Sequence, residues 1–168
     1  MAQSTNGDGQ HDPASAAAAP GSHQLLVNAQ YIKDFSFENP RAPQSLQQPS
    51  AAPAVEINVD VKAQNIGGDT YEVVLSVHAN AKLNGEALFL IELSYGAVVT
   101  ARNFARDMLP PALLVEVPRL MFPFARNIIA DATRDGGFPP LMINPIDFSE
   151  LLRRNQEQPV PAPQTGSA

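Results

Sequence analysis

The chain has 168 residues, 17 acidic against 11 basic side chains, a net charge of −6, no cysteine and no tryptophan. This length fits one domain with a substantial hydrophobic core. The lack of cysteine excludes disulfides, thiolate metal ligands and a cysteine nucleophile, and the low basic content argues against nucleic-acid binding, which needs a positive surface to displace counterions.

Both ends of the chain have compositions typical of disordered segments. Residues Met1–Gln24 are mainly small and polar, and Asn155–Ala168 combines polar residues with three prolines. Neither segment can bury enough apolar surface to offset the entropy cost of ordering it. We therefore expect a disordered N-terminal arm, one folded domain over Leu25–Arg154 and a disordered C-terminal tail.

The sequence predicts neither a targeting signal nor a membrane span. The first lysine is Lys33 and the first arginine is Arg41, so the basic residues of a signal or transit peptide are missing. No apolar run approaches the roughly 20 residues that a transmembrane helix requires. We expect a cytoplasmic protein that does not insert into membranes.

The first half of the domain predicts β-strands. Tyr31–Glu38 is a short candidate, and apolar residues alternate with polar ones over Val55–Lys62 and again over Tyr71–Asn80. This period of two is typical of half-buried strands. Asn84-Gly85 favours a type I′ hairpin turn, so Ala87–Thr100 is expected to pair back as a further strand. These turns predict a three-stranded antiparallel meander after the first strand.

The segment that follows the first strand, Asn39–Pro53, predicts a crossover. It is too long and too rich in proline for a hairpin. A crossover returns the chain to the far side of the meander, so that the first strand lies beside the fourth in a Greek-key arrangement.

The second half of the domain changes to the period of an α-helix. Two apolar rows repeat every four residues and predict a helix with a wide apolar face: Leu120, Phe124 and Ile128 in one row, Met121, Ala125 and Ile129 in the other. Pro118 fits the first turn of this helix, and Gly136-Gly137 predicts its end. Pro123 indicates either a later start or a kink.

A second helix is predicted near Pro145, with Asn144 as its N-cap. Its apolar residues, Phe148, Leu151 and Leu152, are expected to be buried. Strands followed by helices, without alternation of the two, indicate an α+β fold.

The chain contains no recognisable catalytic or metal-binding pattern. His11 and His23 fall in the N-terminal arm, and His78 lies on the polar side of the third strand, so no pair has metal-ligand spacing. A Ser-His-Asp site would need His78, whose position fits a solvated surface histidine better. Gly67-Gly68-Asp69 lacks the Lys-Ser/Thr of a phosphate-binding loop. We expect no enzyme activity, no metal and no cofactor.

Some side chains of the fourth strand depart from simple alternation. Leu88 and Leu90 occupy the same face as Glu92, opposite the apolar core positions. In the first strand, Asp34 and Glu38 share one face. If the two strands are neighbours, Asp34, Glu38 and Glu92 gather around Leu90. This arrangement fits either a docking surface or a solvated sheet face with one stray leucine.

The helical half also carries more apolar residues than one sheet and two helices easily cover. The surplus consists of Phe122, Phe124, Phe138, Leu141, Met142, Ile143 and Ile146. It fits either a dense core or a subunit interface combined with an apolar groove.

Four motifs resemble the SecB family of bacterial protein-export chaperones in their order and spacing. They are YIKDFSFENPRAP at Tyr31–Pro43, GDTYEVVLSV at Gly68–Val77, RLMFPFAR at Arg119–Arg126 and GGFPPLMINPIDFSELL at Gly136–Leu152. The resemblance covers residues Gln30–Leu152.

This resemblance implies a four-stranded antiparallel sheet with a Greek-key crossover and two main helices on one face, assembled as a homotetramer that is a dimer of dimers. It also implies an ATP-independent holdase, which keeps unfolded preproteins competent for translocation and delivers them to the SecA motor. A SecB-like chaperone that serves a toxin–antitoxin pair, with one dedicated partner, is the alternative for the same fold.

The resemblance also assigns site residues. The family's SecA contact matches Asp34, Glu38, Leu90 and Glu92, the four residues that strand parity singles out. The family's client-binding groove maps onto the crossover loop, the second strand and the region around the second helix, at Leu46, Val55, Ile57, Val59, Leu141 and Ile143. In the crossover loop, Leu46 is the only large apolar residue, whereas the family commonly has an aromatic residue and a tryptophan there. The resemblance therefore implies shallower pockets in this chain.

Overall fold

The computed structural model describes residues 21–47 and 52–157. The strands are β1 (Gln24–Glu38), β2 (Ala54–Gly67), β3 (Thr70–Leu83) and β4 (Glu86–Arg102). They are followed by a short helix α1 (Leu109–Pro111), a π-helical turn (Ala112–Glu116), and the helices α2 (Val117–Asp135) and α3 (Phe148–Glu157). Within these ranges no helix is long and apolar enough to cross a membrane.

The folded part extends slightly beyond the predicted limits of Leu25 and Arg154. Gln24 lies in β1, and Asn155–Glu157 continue α3. Residues 21–23 of the predicted arm are also described, as a turn and extended chain before β1, and His23 lies against Phe104. The remaining residues of the predicted arm and tail lie outside the described residues.

The four strands form one antiparallel sheet in the order β1-β4-β3-β2. Asn84 and Gly85 join β3 to β4 with φ of 54° and 83°, the positive values that a type I′ turn requires. Because β1 pairs with β4 and not with β2, the predicted Greek-key crossover is confirmed.

β1 is much longer than the predicted strand Tyr31–Glu38. Its register against β4 shifts between Val27 and Ala29 and again between Ile32 and Asp34. Each irregularity inserts a residue and reverses the alternation of faces. The period of two, on which the sequence prediction depends, is therefore interrupted twice, once before Tyr31 and once within the predicted strand.

One face of the sheet, called here the inner face, is packed against α2. Among its most buried side chains are Val73, Leu75, Val77, Ile91, Leu93 and Val99. From α2, Met121, Ala125 and Ile129 are fully buried. Of the other predicted row, only Ile128 packs against this core, because Leu120 is 54% exposed and Phe124 is 53% exposed. The helix runs through Pro123 without ending there.

The second predicted helix forms, but it begins at Phe148 and not near Pro145. Asp147 is its cap, since Oδ1 of Asp147 accepts hydrogen bonds from the backbone N–H groups of Ser149 (2.9 Å) and Glu150 (3.1 Å). Asn144 therefore does not cap this helix. The predicted α+β class, with two main helices beside a four-stranded antiparallel sheet, is confirmed.

On the opposite, outer face, Glu72 is a buried carboxylate that joins three strands. It accepts hydrogen bonds from the Tyr31 hydroxyl, from Lys33 Nζ (2.7 and 2.8 Å) and from Gln64 Nε2 (2.6 Å). Tyr31 reaches Glu72 across Gly96 of β4, where an added Cβ would lie 2.6 Å from the tyrosine ring. These hydrogen bonds, above all that from Lys33, lower the pKa of Glu72, and the bond to Glu72 raises the pKa of Tyr31.

We expect Glu72→Gln to reduce the free energy of unfolding at pH 7 by about 1–3 kcal/mol, because a hydrogen-bonded charge is lost from a buried position. The pKa of Glu72 is lower in the folded than in the unfolded state. The carboxylate therefore stabilises the fold above the ordinary carboxyl pKa of about 4.3, and this contribution is lost as the pH falls through the folded pKa.

Urea unfolding at pH 7 and at pH 3.5 tests this expectation, and the difference between wild type and variant is expected to narrow at the lower pH. Glu86→Gln is the matched control, because the ion pair of Glu86 with Arg41 is exposed and contributes little. A difference for Glu72→Gln that stays constant over this range would contradict the role of the charge.

Candidate functional site

The four residues predicted for docking lie together on the outer face and are called here the outer-face patch: Asp34, Glu38, Leu90 and Glu92. Glu38 is paired with Leu90 across β1 and β4, and Asp34 with Ser94. Ser36, between the two acidic residues of β1, is paired with Glu92. The three acidic side chains are exposed and Leu90 is half-buried. Strand register therefore produces the cluster that the sequence predicted.

The cross-strand pairs that contain Leu90 and Glu92 continue across β3 to β2. Leu90 is paired with Asn80, which is paired with Glu56. Glu92 is paired with His78, which is paired with Asn58. These residues surround a shallow depression of about 210 Å³. The sequence prediction missed Glu56 because it assigned no role to the polar face of β2, although the alternation of that strand was evident.

Leu88 does not belong to the outer face, contrary to the sequence prediction. It is only 5% exposed, and it lies where the register between β3 and β4 shifts. The irregularity turns Leu88 inward together with its neighbour Phe89.

On the other side of the molecule, an open cavity of about 450 Å³ lies between the crossover loop, the start of β2 and the segment after α2. We call it the apolar groove. Its apolar walls include Leu46, Val55, Leu88, Phe89, Phe138 and Leu141. None of the described residues that line it carries a charged side chain.

Three of the six predicted groove residues line this cavity: Leu46, Val55 and Leu141. Ile57 and Val59 lie further along β2 on the same face, where Ile57 is 37% exposed. Ile143 is 5% exposed and belongs to the hydrophobic core. The sequence prediction did not assign Leu88, Phe89 and Phe138 to the groove. The alternation of side chains along β4 placed Leu88 on the outer face and Phe89 in the core.

The floor of the groove is aromatic although the crossover loop is not. The rings of Phe89 and Phe138 are 4.9 Å apart, and Phe37 stacks on Phe89 at 6.1 Å. Leu46 lies against Gly137, where an added Cβ would approach its Cδ2 to 2.8 Å. The aromatic residues therefore come from the sheet and from the segment after α2, and Leu46 forms one edge.

Three prolines at the groove limit hydrogen bonding there. Pro53, Pro139 and Pro140 all line the cavity, and none has a backbone N–H group to donate. A site with an apolar floor and few fixed donors accepts side chains by size and hydrophobicity, with little demand for a particular hydrogen-bonding pattern.

Thr133 ties the groove segment to α2. Its hydroxyl is fully buried, donates to the carbonyl groups of Ile129 (3.0 Å) and Ala130 (2.9 Å), and accepts from the backbone N–H of Leu141 (2.9 Å). This single side chain therefore fixes the position of one groove wall relative to the helix.

Comparisons with known proteins agree on one family. The sequence profile of the family described as preprotein translocase subunit SecB matches residues 18–159. The protein-export protein SecB of Bradyrhizobium diazoefficiens is 49% identical over 158 residues, which are 94% of this chain and 95% of the relative. That of Rhodopseudomonas palustris strain BisB5 is 51% identical over 154 residues, covering 92% and 94% of the two chains.

A solved structure has the same fold at much lower identity. It is a SecB-like chaperone from Mycobacterium tuberculosis in complex with a peptide from the HigA1 antitoxin. It is 13% identical to this chain, covers 73% of it and 90% of its own length, and aligns with a TM-score of 0.61.

We expect Thr133→Val to lower the free energy of unfolding by about 1–3 kcal/mol, because the N–H of Leu141 loses its acceptor without a change in side-chain volume. Amide hydrogen exchange at Leu141 is expected to accelerate, since the groove wall is released from α2. Thr133→Ser keeps the hydroxyl and serves as the matched control. Equal protection of the Leu141 amide in both variants would show that the hydroxyl does not hold this wall.

Proposed function

This chain belongs to the SecB family, and we propose that it acts in protein export as an ATP-independent holdase. In this function it keeps unfolded preproteins competent for translocation and delivers them to the SecA motor in the cytoplasm. The supporting observation is the separation of two surfaces: an uncharged apolar groove on one side of the sheet and the outer-face patch on the other.

The groove fits an extended, unfolded client. Its described lining is mainly apolar, includes three prolines that lack a backbone N–H donor, and carries no charged side chain. An extended segment can place alternate side chains in such a groove and leave its remaining polar groups in water. Several grooves in one assembly would bind one client chain together, so that weak single contacts add up through effective concentration.

The outer-face patch fits the SecA contact. Asp34, Glu38 and Glu92 offer negative charge to a basic partner, and half-buried Leu90 offers an apolar contact among them. Complementary charge at the rim accelerates association and selects the partner, while the apolar centre contributes to the lifetime of the complex.

A homotetramer, as a dimer of dimers, is supported by apolar surface that the single chain leaves uncovered. Leu120 and Phe124 on α2 are more than half exposed, and Ile32 on β1 is 50% exposed. A cavity beside Phe124 is also lined by Tyr95 from the inner face of the sheet. The outer edge of β1 pairs with no other described strand. An uncovered strand edge and an apolar helix face are surfaces that a second copy covers.

This function requires no catalysis, metal or cofactor. His78, the histidine on which a hydrolase site would depend, is 54% exposed and lies beside Glu92 on an open sheet face. Within residues 21–47 and 52–157 no three histidine or acidic side chains are grouped as metal ligands.

We expect Val55→Asp to weaken the binding of an unfolded precursor about tenfold or more, because a charge in the apolar groove must be desolvated when a client side chain enters. Suppression of precursor aggregation measures client holding, and titration calorimetry with SecA measures docking. Val55→Thr, which has a similar shape and no charge, is the control. SecA affinity is expected to be unchanged in both variants.

Glu92→Lys is expected to have the reverse effect: weaker SecA binding and normal client holding. Glu92→Gln tests whether loss of the charge is enough. If either charged variant impairs both activities while remaining folded, the separation of the two surfaces is wrong.

Native mass spectrometry is expected to show four chains for the wild type. Phe124→Glu is expected to yield smaller species, since a carboxylate would be buried at the proposed interface between copies. Asp107→Lys, at an exposed site in the connection between β4 and α1, is the control. A wild-type monomer at micromolar concentration would contradict the assembly.

A further inference from the structure

We propose that His78 is a further residue of the docking surface, and that its protonation weakens the docking of a basic segment of SecA. This inference rests on the proposed docking of SecA at the outer-face patch. It adds to the four predicted positions a residue on β3, and it adds a dependence of SecA binding on pH.

His78 lies at the centre of the outer face. It is paired across the sheet with Glu92 on β4 and with Asn58 on β2. Its Nδ1 is 3.4 Å from Oε1 of Glu92, and the two side chains are 54% and 62% exposed. A ligand on the patch that contacts Glu92 would therefore meet the imidazole as well.

The groups that face His78 are predominantly acidic. Glu92 on β4 is closest; β1 contributes Asp34 and Glu38, and β2 contributes Glu56 and Asp60.

The lysines near this area are already paired: Lys82 lies 3.4 Å from Glu56 and Lys62 lies 3.7 Å from Asp60. On β1, Lys33 is bound to Glu72, further along the sheet. The helices α2 and α3 lie beyond the inner face of the sheet.

Five carboxylates thus stand against two ammonium groups around His78. Protonation of the imidazole lowers this excess of negative charge from three to two and places a positive charge within reach of Glu92. Histidine is the side chain that ordinarily changes its charge between pH 5 and 8. Its protonation would therefore repel a basic partner and engage the carboxylate that the partner needs.

The depression beside His78 identifies the chemistry of the bound segment. Leu90 lies within it, so an apolar side chain of the partner has a contact there. These features fit a basic segment that carries an apolar residue.

The test compares the affinity of the full chain for SecA at pH 7.5 and pH 5.5, at constant ionic strength. We expect the wild type to bind about three- to tenfold more weakly at pH 5.5, as for an exposed charge near a complementary contact. His78→Gln is expected to remove this weakening. His23→Gln is the matched control, because His23 lies beside Phe104, away from the patch, and its loss should change nothing.

His78→Lys extends the test, since a permanent positive charge is expected to give weak binding at both pH values. Titratable groups of SecA affect all variants equally, so only the difference between His78→Gln and wild type reports on His78. If the SecA affinity of His78→Gln depends on pH as that of the wild type does, the proposed role of His78 is wrong. The proposed docking of SecA at the outer-face patch would be unaffected by this result. If the wild type does not bind SecA at pH 7.5, the proposed docking fails and this inference fails with it.

Discussion

The pairing of β1 with β4 is the interaction on which both proposed surfaces depend. It places Asp34 and Glu38 beside Leu90 and Glu92, and it brings Phe37 against Phe89, which lines the groove. Because successive side chains of a strand point to opposite faces, a slip of one residue would reverse every one of these positions. The outer-face patch and the groove would be lost together.

Two contacts hold this register. On the outer face, Tyr31 crosses Gly96 to reach Glu72, and only glycine leaves room for the ring. On the inner face, Phe37 lies so near Gly136 that an added Cβ would be 2.2 Å from the ring. Two glycines, one in β4 and one at the end of α2, therefore accept two aromatic side chains of β1. A shift of the strand would drive both rings into neighbouring backbone.

The use of the two faces of one sheet explains how such a small domain can keep the two proposed binding surfaces apart. The inner face meets α2 along part of its area and leaves the start of β2 and the crossover loop open as the groove. None of the described helices packs on the outer face, which presents charged side chains to solvent. A net charge of −6 per chain also favours repulsion between copies, which opposes contact between open apolar grooves.

The sequence by itself determined the α+β class, the strand order and the identity of the outer-face patch, because these follow from local turns, from the period of two and from the order of the motifs. It did not determine the length of β1, the burial of Leu88 or the cap at Asp147. The first two depend on irregularities in strand pairing, which have no signature in a single strand, and the third depends on where the preceding segment is anchored. Only the tertiary structure decided which residues line the groove. Phe89 and Phe138 are far apart in the sequence, so no local pattern predicts that their rings meet there.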